Sequence, residues 1–303
     1  MTNRKVLLNN VKRELHVIVA LFVLASASVG VGSLSNAGAS TLPTAFYLDI
    51  GASASLGYQP TPSSPHGQHT DSGYADFLVA HEAAKGINLQ LDEIGCNGET
   101  TVTMLVGGDA CYASPNTQLD EAVSFLTAHR DESGLVTIDL GFNDIMPCLN
   151  MEFVNRTCVR NRLELDREQL PIILNTLKSA AGPDVVLVGV GHYDPYLADA
   201  LQGTSGEIFA EQSHVVMEHL DKVLSRAYLA ADIPMADVGA AFNSEDSDPI
   251  SLTGVGTVPD NVAEICLLTW MCQTAPYGPN IHPNDAGYEA IANAIAAQLP
   301  APW

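Results

Sequence analysis

Residues 47–57 read YLDIGASASLG, an apolar run that ends in small residues around a serine. The apolar part has the length and composition of a buried strand, so Ser53 is predicted to lie just beyond a strand's carboxyl end. In open α/β sheets, ligands bind at this edge. The neighbouring glycines would let a substrate approach the backbone. The segment therefore points to a nucleophilic serine on a turn, although ordinary loops of this kind are also rich in small residues.

Apolar runs of strand length recur along the chain and alternate with amphipathic stretches of helix length. The predicted strands are residues 45–50, 89–94, 135–140, 185–190 and 235–238. The predicted helices are residues 74–85, 118–129, 167–181, 207–231 and 284–298. This alternation indicates βαβ units and a parallel sheet. We therefore expect a three-layer α/β/α sandwich with a central parallel sheet, and long loops at residues 61–72 and 243–260.

The first 39 residues differ in composition from the rest of the chain. Basic residues between Arg4 and Arg13 precede an apolar run at 17–31, and small residues follow it up to Ala39. This is the pattern of a secretory signal peptide. The run has about fifteen residues, fewer than the roughly twenty that span a bilayer. We predict cleavage after Ala39, which leaves residues 40–303 as one secreted domain, free or associated with the cell envelope; an uncleaved anchor is the alternative.

Acidic residues outnumber basic ones in the chain as a whole. The sequence has 13 Lys and Arg against 35 Asp and Glu, a formal net charge of −22. Removing residues 1–39 takes away four basic residues and Glu14, which leaves nine against 34 and a formal charge of −25. Nucleic acids and anionic membrane surfaces are bound through clusters of Lys and Arg that neutralise phosphates. Neither is expected as a partner.

The six cysteines all follow residue 39 and fall into three local pairs: Cys96 with Cys111, Cys148 with Cys158, and Cys266 with Cys272. An exported protein meets an oxidising compartment, so we expect disulfides. Pairing within these local sets would close only short loops. A metal site is the alternative, but the sequence contains no Cys-x-x-Cys spacing.

Three further polar segments would reach the same sheet edge as Ser53. Gly98 follows the second predicted strand and can offer an unhindered backbone N–H, while Asn143 follows the third and supplies an amide donor. His282 precedes the last predicted helix. A hydroxyl, an imidazole that is neutral near pH 7 and convergent N–H donors are what acyl transfer needs. Taken singly, these residues also fit a turn, a helix cap and an exposed loop histidine.

The order Ser53, Gly98, Asn143, His282 resembles the four blocks of the SGNH, or GDSL-type, hydrolase family, over nearly the whole chain after residue 39. The resemblance implies a flavodoxin-like sheet and an esterase or lipase with Ser53 as nucleophile and His282 as base. The N–H groups of Ser53 and Gly98 and the Asn143 amide would form the oxyanion hole. No cofactor or metal is implied. Residues 190–196 also resemble a segment of exported bacterial members and would lie near the site.

Two positions depart from the pattern of that family. Ala52 stands where the family has Asp before the serine, and Pro279 stands where its third triad member precedes the histidine. No carboxylate can therefore come from position 279. A triad acid holds the tautomer of the imidazole, and a carbonyl or amide oxygen can do the same. We rank the carbonyl near Pro279 first for this role, beside the side chain of Asn280 and an acid from Asp260 or Asp194.

The expected function is hydrolysis of carboxylic esters, with a small-molecule, lipid or carbohydrate ester as substrate. Acyl transfer to a sugar or glycerol-type alcohol uses the same intermediate on Ser53 and stays open. A non-catalytic binding protein is another alternative, for which Ala52 and Pro279 would be signs of decay. Metal-dependent hydrolysis is disfavoured, because His66 and His69 lie in a loop without an accompanying metal motif.

Overall fold

The computed structural model describes residues 44–150 and 153–301. Its strands are β1 (Thr44–Gly51), β2 (Gln59–Thr61), β3 (Ser64–Gln68), β4 (Asn88–Glu93), β5 (Gly134–Asp139), β6 (Leu149–Asn150), β7 (Phe153–Val154), β8 (Val185–Val190), β9 (Met235–Ala236), β10 (Pro249–Leu252) and β11 (Gly256–Pro259). Its α-helices are α1 (Tyr74–Ala84), α2 (Thr101–Val106), α3 (Gln118–Ala128), α4 (Phe142–Ile145), α5 (Arg156–Ala180), α6 (Thr204–Ala230), α7 (Val238–Ala241), α8 (Asp260–Leu268) and α9 (Asp285–Ala296). The predicted signal peptide, residues 1–39, lies outside the described residues.

A five-stranded sheet in the order β4-β1-β5-β8-β9 forms the centre, and all its neighbouring strands pair in parallel. Parallel sheets need helices on both faces, because their crossover connections run over them. The predicted three-layer α/β/α sandwich with a central parallel sheet is confirmed.

Strand β1 shows how the two faces are separated. Phe46, Leu48 and Ile50 point into the core beneath α3, α5 and α6. Ala45 and Tyr47 point into the opposite core, beneath α1, α8 and α9. Successive side chains of a strand face opposite ways, so one apolar run supplies both cores. The run is mostly apolar because neither face of the strand meets water. The exception is Asp49, whose buried carboxylate accepts hydrogen bonds from the hydroxyls of Tyr74 and Thr137.

Helix α5 begins eleven residues before the predicted start at Arg167. The Asn155 side chain caps it by accepting a hydrogen bond from the Cys158 N–H at 3.1 Å. A capped end satisfies a free N–H of the first turn, and this stabilises the early start. Pro171 lies inside the helix without ending it.

The other differences concern short elements. Strand β9 ends at Ala236, two residues earlier than predicted, because Asp237 caps α7 with a 2.8 Å bond from the Ala240 N–H. The predicted loops at 61–72 and 243–260 both contain strands of two-stranded antiparallel ribbons, β2–β3 and β10–β11. Helices α2 and α8 have no predicted counterpart. Between residues 44 and 301, leaving out 151 and 152, no helix is long and apolar enough to cross a membrane.

Candidate active site

The end of β1 turns sharply and leaves Ser53 above the sheet edge. Gly51 has φ +138°, and a Cβ there would overlap the backbone oxygen of Asp139 on the neighbouring strand β5. Only glycine allows this close approach at a positive φ. The Ala52 N–H donates to that same oxygen at 3.1 Å, and the Ser55 hydroxyl donates to the Ala52 carbonyl at 2.7 Å. These contacts hold the turn from which Ser53 projects.

His282 comes to Ser53 from the far end of the chain. The Ser53 Oγ and the His282 Nε2 are 2.9 Å apart, across 229 residues of sequence. The backbone around the histidine is held by an isolated bridge between Thr269 and Pro283, and by a 3.1 Å bond from the Trp270 N–H to the His282 carbonyl. The hydroxyl and the imidazole predicted from the sequence therefore meet within hydrogen-bond distance.

The side chain of Asn280 orients the imidazole. Its Oδ1 lies 2.8 Å from the His282 Nδ1 and also accepts the His282 backbone N–H at 3.0 Å. Its Nδ2 donates to the Pro65 carbonyl at 3.1 Å, which assigns the two ends of the amide. An amide oxygen can only accept, so Nδ1 carries the ring proton and Nε2 is left to accept from Ser53.

The ranking of orienting groups made from the sequence is corrected by these contacts. The partner of the His282 Nδ1 is the Asn280 side chain, and not the carbonyl near Pro279 that was placed first. The two acids are engaged elsewhere: Asp260 accepts from the Asn243 side chain at 2.7 Å, and Asp194 accepts from the Ser213 hydroxyl at 2.7 Å. A side-chain amide at this position replaces the expected main-chain oxygen.

Burial keeps the His282 imidazole neutral. Its side chain is only 9% exposed, and the loss of hydration lowers its pKa to about 4. A carboxylate at Nδ1 would oppose this shift by stabilising the imidazolium, but the Asn280 amide carries no charge. The ring is therefore neutral, and able to accept a proton, well below the usual histidine pKa near 6.5.

Asn143 and Gly98 follow the ends of two other strands of the sheet, β5 and β4. The Asn143 Nδ2 donates to the carbonyl of Glu99 at 3.1 Å, so the amide is tied to the residue directly after Gly98. Gly98 is exposed, has φ +87°, and has no atom within 4 Å of the position of an added Cβ. Ser53, Asn143 and His282 line one small cleft of about 50 Å³, while Gly98 lies outside its lining.

A buried acid–histidine pair that the sequence analysis missed lies under the Ser53 turn. Asp139 is 3% exposed, and burial raises its pKa; the nearby His192 ring and the N–H groups of Ala52 and Ser55 act in the opposite direction. The His192 Nδ1 is 3.7 Å from the Asp139 carboxylate, and its Nε2 donates to the Leu140 carbonyl at 2.9 Å. An acid at the end of an apolar strand run was the available sequence signal.

His192 belongs to residues 190–196, which were expected near the site. Its ring lines the cleft beside Ser53. Position 52 holds alanine where the family has Asp. The Asp139 carboxylate on the neighbouring strand contacts the N–H groups of Ala52 and Ser55 and so stabilises the bent backbone of the turn.

The six cysteines form the three predicted local disulfides, Cys96–Cys111, Cys148–Cys158 and Cys266–Cys272. Each closes a short loop beside a segment of the site. The first encloses Gly98, the second follows Asn143, and the third precedes His282. A crosslink of this kind restricts the unfolded chain and, in the folded protein, holds the loop that presents the site residue.

Comparison with known proteins assigns the chain to a family. The model of the GDSL-like Lipase/Acylhydrolase family matches residues 50–290, and the chain belongs to that family. Similar solved structures include phospholipase A1 from Streptomyces albidoflavus NA297 and an extracellular lipase from Streptomyces rimosus. Both have a TM-score of 0.56 and 17% identity over 84% of this chain, and cover 99% and 100% of their own chains. No protein of curated function matches the sequence.

These relatives are too distant in sequence to show more than the shared fold. Membership of the family supports an ester hydrolase as the general class of activity.

The electrostatic account of His282 is testable by NMR titration of the histidine ring nitrogens, with His282→Gln to assign the resonance. We expect the wild-type ring to stay neutral as the pH falls from 8 to 5 and to take up a proton only near its lowered pKa of about 4. Asn280→Asp places a carboxylate at Nδ1 and should raise that pKa, so that protonation begins at a higher pH. A wild-type ring that titrates near 6.5, or an unchanged pKa in the variant, would contradict the account.

Proposed function

We propose that this chain is an exported serine esterase or lipase that hydrolyses carboxylic esters through an acyl-enzyme on Ser53, with His282 as general base. The observation that carries the proposal is the 2.9 Å contact between the Ser53 Oγ and the unprotonated Nε2 of His282. A serine hydroxyl becomes a competent nucleophile when a base within hydrogen-bond reach accepts its proton.

In the proposed reaction, the Ser53 Oγ attacks the ester carbonyl carbon while its proton passes to the His282 Nε2. The carbonyl oxygen becomes an oxyanion, and the Asn143 amide with the N–H groups of Ser53 and Gly98 stabilises it. The proton on Nε2 then moves to the departing alkoxide as the ester C–O bond breaks. Water attacks the acyl-enzyme by the same route, with His282 again accepting and returning the proton.

The uncharged Asn280 amide at the His282 Nδ1 affects the energy of proton transfer in this cycle. The amide of Asn280 holds the tautomer but leaves the imidazolium without a countercharge, so protonated His282 is less stable than in a site with an acid. A base of low pKa accepts the serine proton less readily, but returns it more readily to the leaving alkoxide. Once formed, the imidazolium therefore gives its proton readily to the departing alkoxide of an ester.

Export is supported by the basic and apolar pattern of residues 1–39 and by three disulfides in a chain of 303 residues. Disulfides persist mainly in oxidising compartments. The non-catalytic alternative is disfavoured by the ordered contacts of Asn280, His282 and Ser53, because a binding protein has no need of them.

Replacing the nucleophile tests the proposal directly. Ser53→Ala should reduce turnover of p-nitrophenyl esters by about a thousandfold or more, since no other hydroxyl of the described residues hydrogen-bonds to the His282 Nε2. Ser55→Ala is the matched control, because this serine lies in the same turn and bonds the Ala52 carbonyl instead; we expect it to retain turnover within about tenfold. The assay compares initial rates over a series of acyl chain lengths, with circular dichroism to verify folding.

Unchanged turnover in Ser53→Ala would refute the proposed nucleophile. Transfer to an alcohol is distinguished from hydrolysis by product analysis in the presence of glycerol or glucose. A predominance of acylated glycerol or glucose over free acid would replace hydrolysis with acyl transfer.

The contact between the Asn280 side chain and His282 can be tested separately by substitution. Asn280→Ala should lower kcat by about tenfold to a hundredfold, because the ring loses the partner that holds its tautomer. Asp260→Asn removes an acid that contacts Asn243 rather than the histidine, and should leave turnover within about tenfold of wild type. A loss of about a thousandfold in Asp260→Asn, with Asn280→Ala near wild type, would identify a conventional triad acid instead.

A further inference from the structure

A groove between α5 and α6 has a cavity volume of about 720 Å³, much larger than the cleft at Ser53. Its apolar lining consists of Val154, Val159, Leu163, Val215 and Val216. The Val215 side chain is 51% exposed, so apolar surface in the groove faces solvent. The volume falls in the range of small-molecule sites.

The groove carries positive charge in a strongly acidic protein. Three arginines line it, namely Arg156, Arg160 and Arg167, against one carboxylate, that of Glu211. Residues 156–167 hold four of the nine Lys and Arg found after residue 39. Cations are therefore concentrated here while carboxylates dominate elsewhere.

Two of these arginines are free to bind an anion. Arg167 forms an ion pair with Glu164 at 2.8 Å on the surface of α5. Arg156 and Arg160 have no ion pair with any residue in the described parts of the chain, although 34 carboxylates follow residue 39. A guanidinium binds a carboxylate through two parallel hydrogen bonds, which gives both strength and orientation.

We propose that this groove binds the anion of a single-chain amphiphile, a long-chain fatty acid, at a site separate from the catalytic cleft. The valine and leucine side chains contact the hydrocarbon chain, and Arg156 and Arg160 hold the carboxylate at the rim. Burying the hydrocarbon chain of the fatty acid against exposed apolar surface supplies most of the favourable binding free energy, roughly 25 cal/mol for each Å² removed from water. The two guanidinium groups select an anion over an alcohol of equal length.

The charge distribution favours a single anion over an anionic bilayer. An extended anionic bilayer would be repelled by the net charge of −22 on the whole chain. A monomeric fatty acid is small enough to interact mainly with the local arginines, which attract it. Because no residue lines both the groove and the Ser53 cleft, the proposal does not rest on the proposed hydrolysis.

The test is fluorescence titration of the purified Ser53→Ala chain with cis-parinaric acid, a naturally fluorescent long-chain fatty acid, below its micellar concentration. We expect saturable binding that palmitate displaces and hexadecanol displaces at least about tenfold less well. Combined Arg156→Glu and Arg160→Glu should weaken binding by about tenfold or more. Val215→Trp, which fills the groove, should also weaken it.

Matched controls come from α6, one of the two helices that border the groove. Combined Lys222→Glu and Arg226→Glu makes the same charge change outside the groove, and Leu229→Trp enlarges a side chain that is 79% exposed away from it. Both should bind as Ser53→Ala does. Equal weakening by the controls and the groove variants, equal displacement by palmitate and hexadecanol, or no saturable binding would overturn the proposal. Binding only to anionic vesicles would replace it with docking at a lipid surface.

Discussion

The hydrogen bond between Ser53 and His282 is the interaction on which the site depends, and the sheet makes it possible. Strand β1 ends against β5 at Gly51, which directs the serine turn over the sheet edge. The histidine arrives on the segment before α9, held by backbone bonds to the segment around Trp270. A shift of either segment by 1 Å would lengthen the contact beyond useful reach, because proton transfer needs hydrogen-bond distance.

Charge is arranged around this contact in an unusual way. The group at the imidazole is the neutral amide of Asn280, and the buried carboxylate of Asp139 lies under the serine turn instead. Burial therefore acts on His282 without opposition from an acid and lowers its pKa to about 4. Four of the six arginines after residue 39 lie along the first half of α5, and none of these four lines the cleft. The neutral surroundings of Ser53 and a cationic groove thus occupy separate parts of one acidic protein.

The sequence predicted most of the sheet, because buried strands have a clear pattern. Ser53 and His282 could be assigned as candidate reacting groups through the resemblance of their segments to the SGNH family, and the structure brings the two side chains within hydrogen-bond distance. The role of Asn280 could not be assigned in this way, because it depends on the Pro65 carbonyl, which fixes the amide from strand β3, more than 200 residues away. The early start of α5 was missed for a similar reason, since its first turns lack strong apolar periodicity and rely on the Asn155 cap.

The central claim is that Ser53 is a nucleophile activated by a histidine that an amide holds in place. Labelling with a fluorophosphonate probe, followed by peptide mass mapping, tests it most directly, since the probe reacts only with an activated serine. The account predicts a single adduct on the peptide that contains Ser53, slowed strongly by His282→Ala and less by Asn280→Ala. An adduct on another serine, or no adduct on the folded wild-type chain, would contradict it.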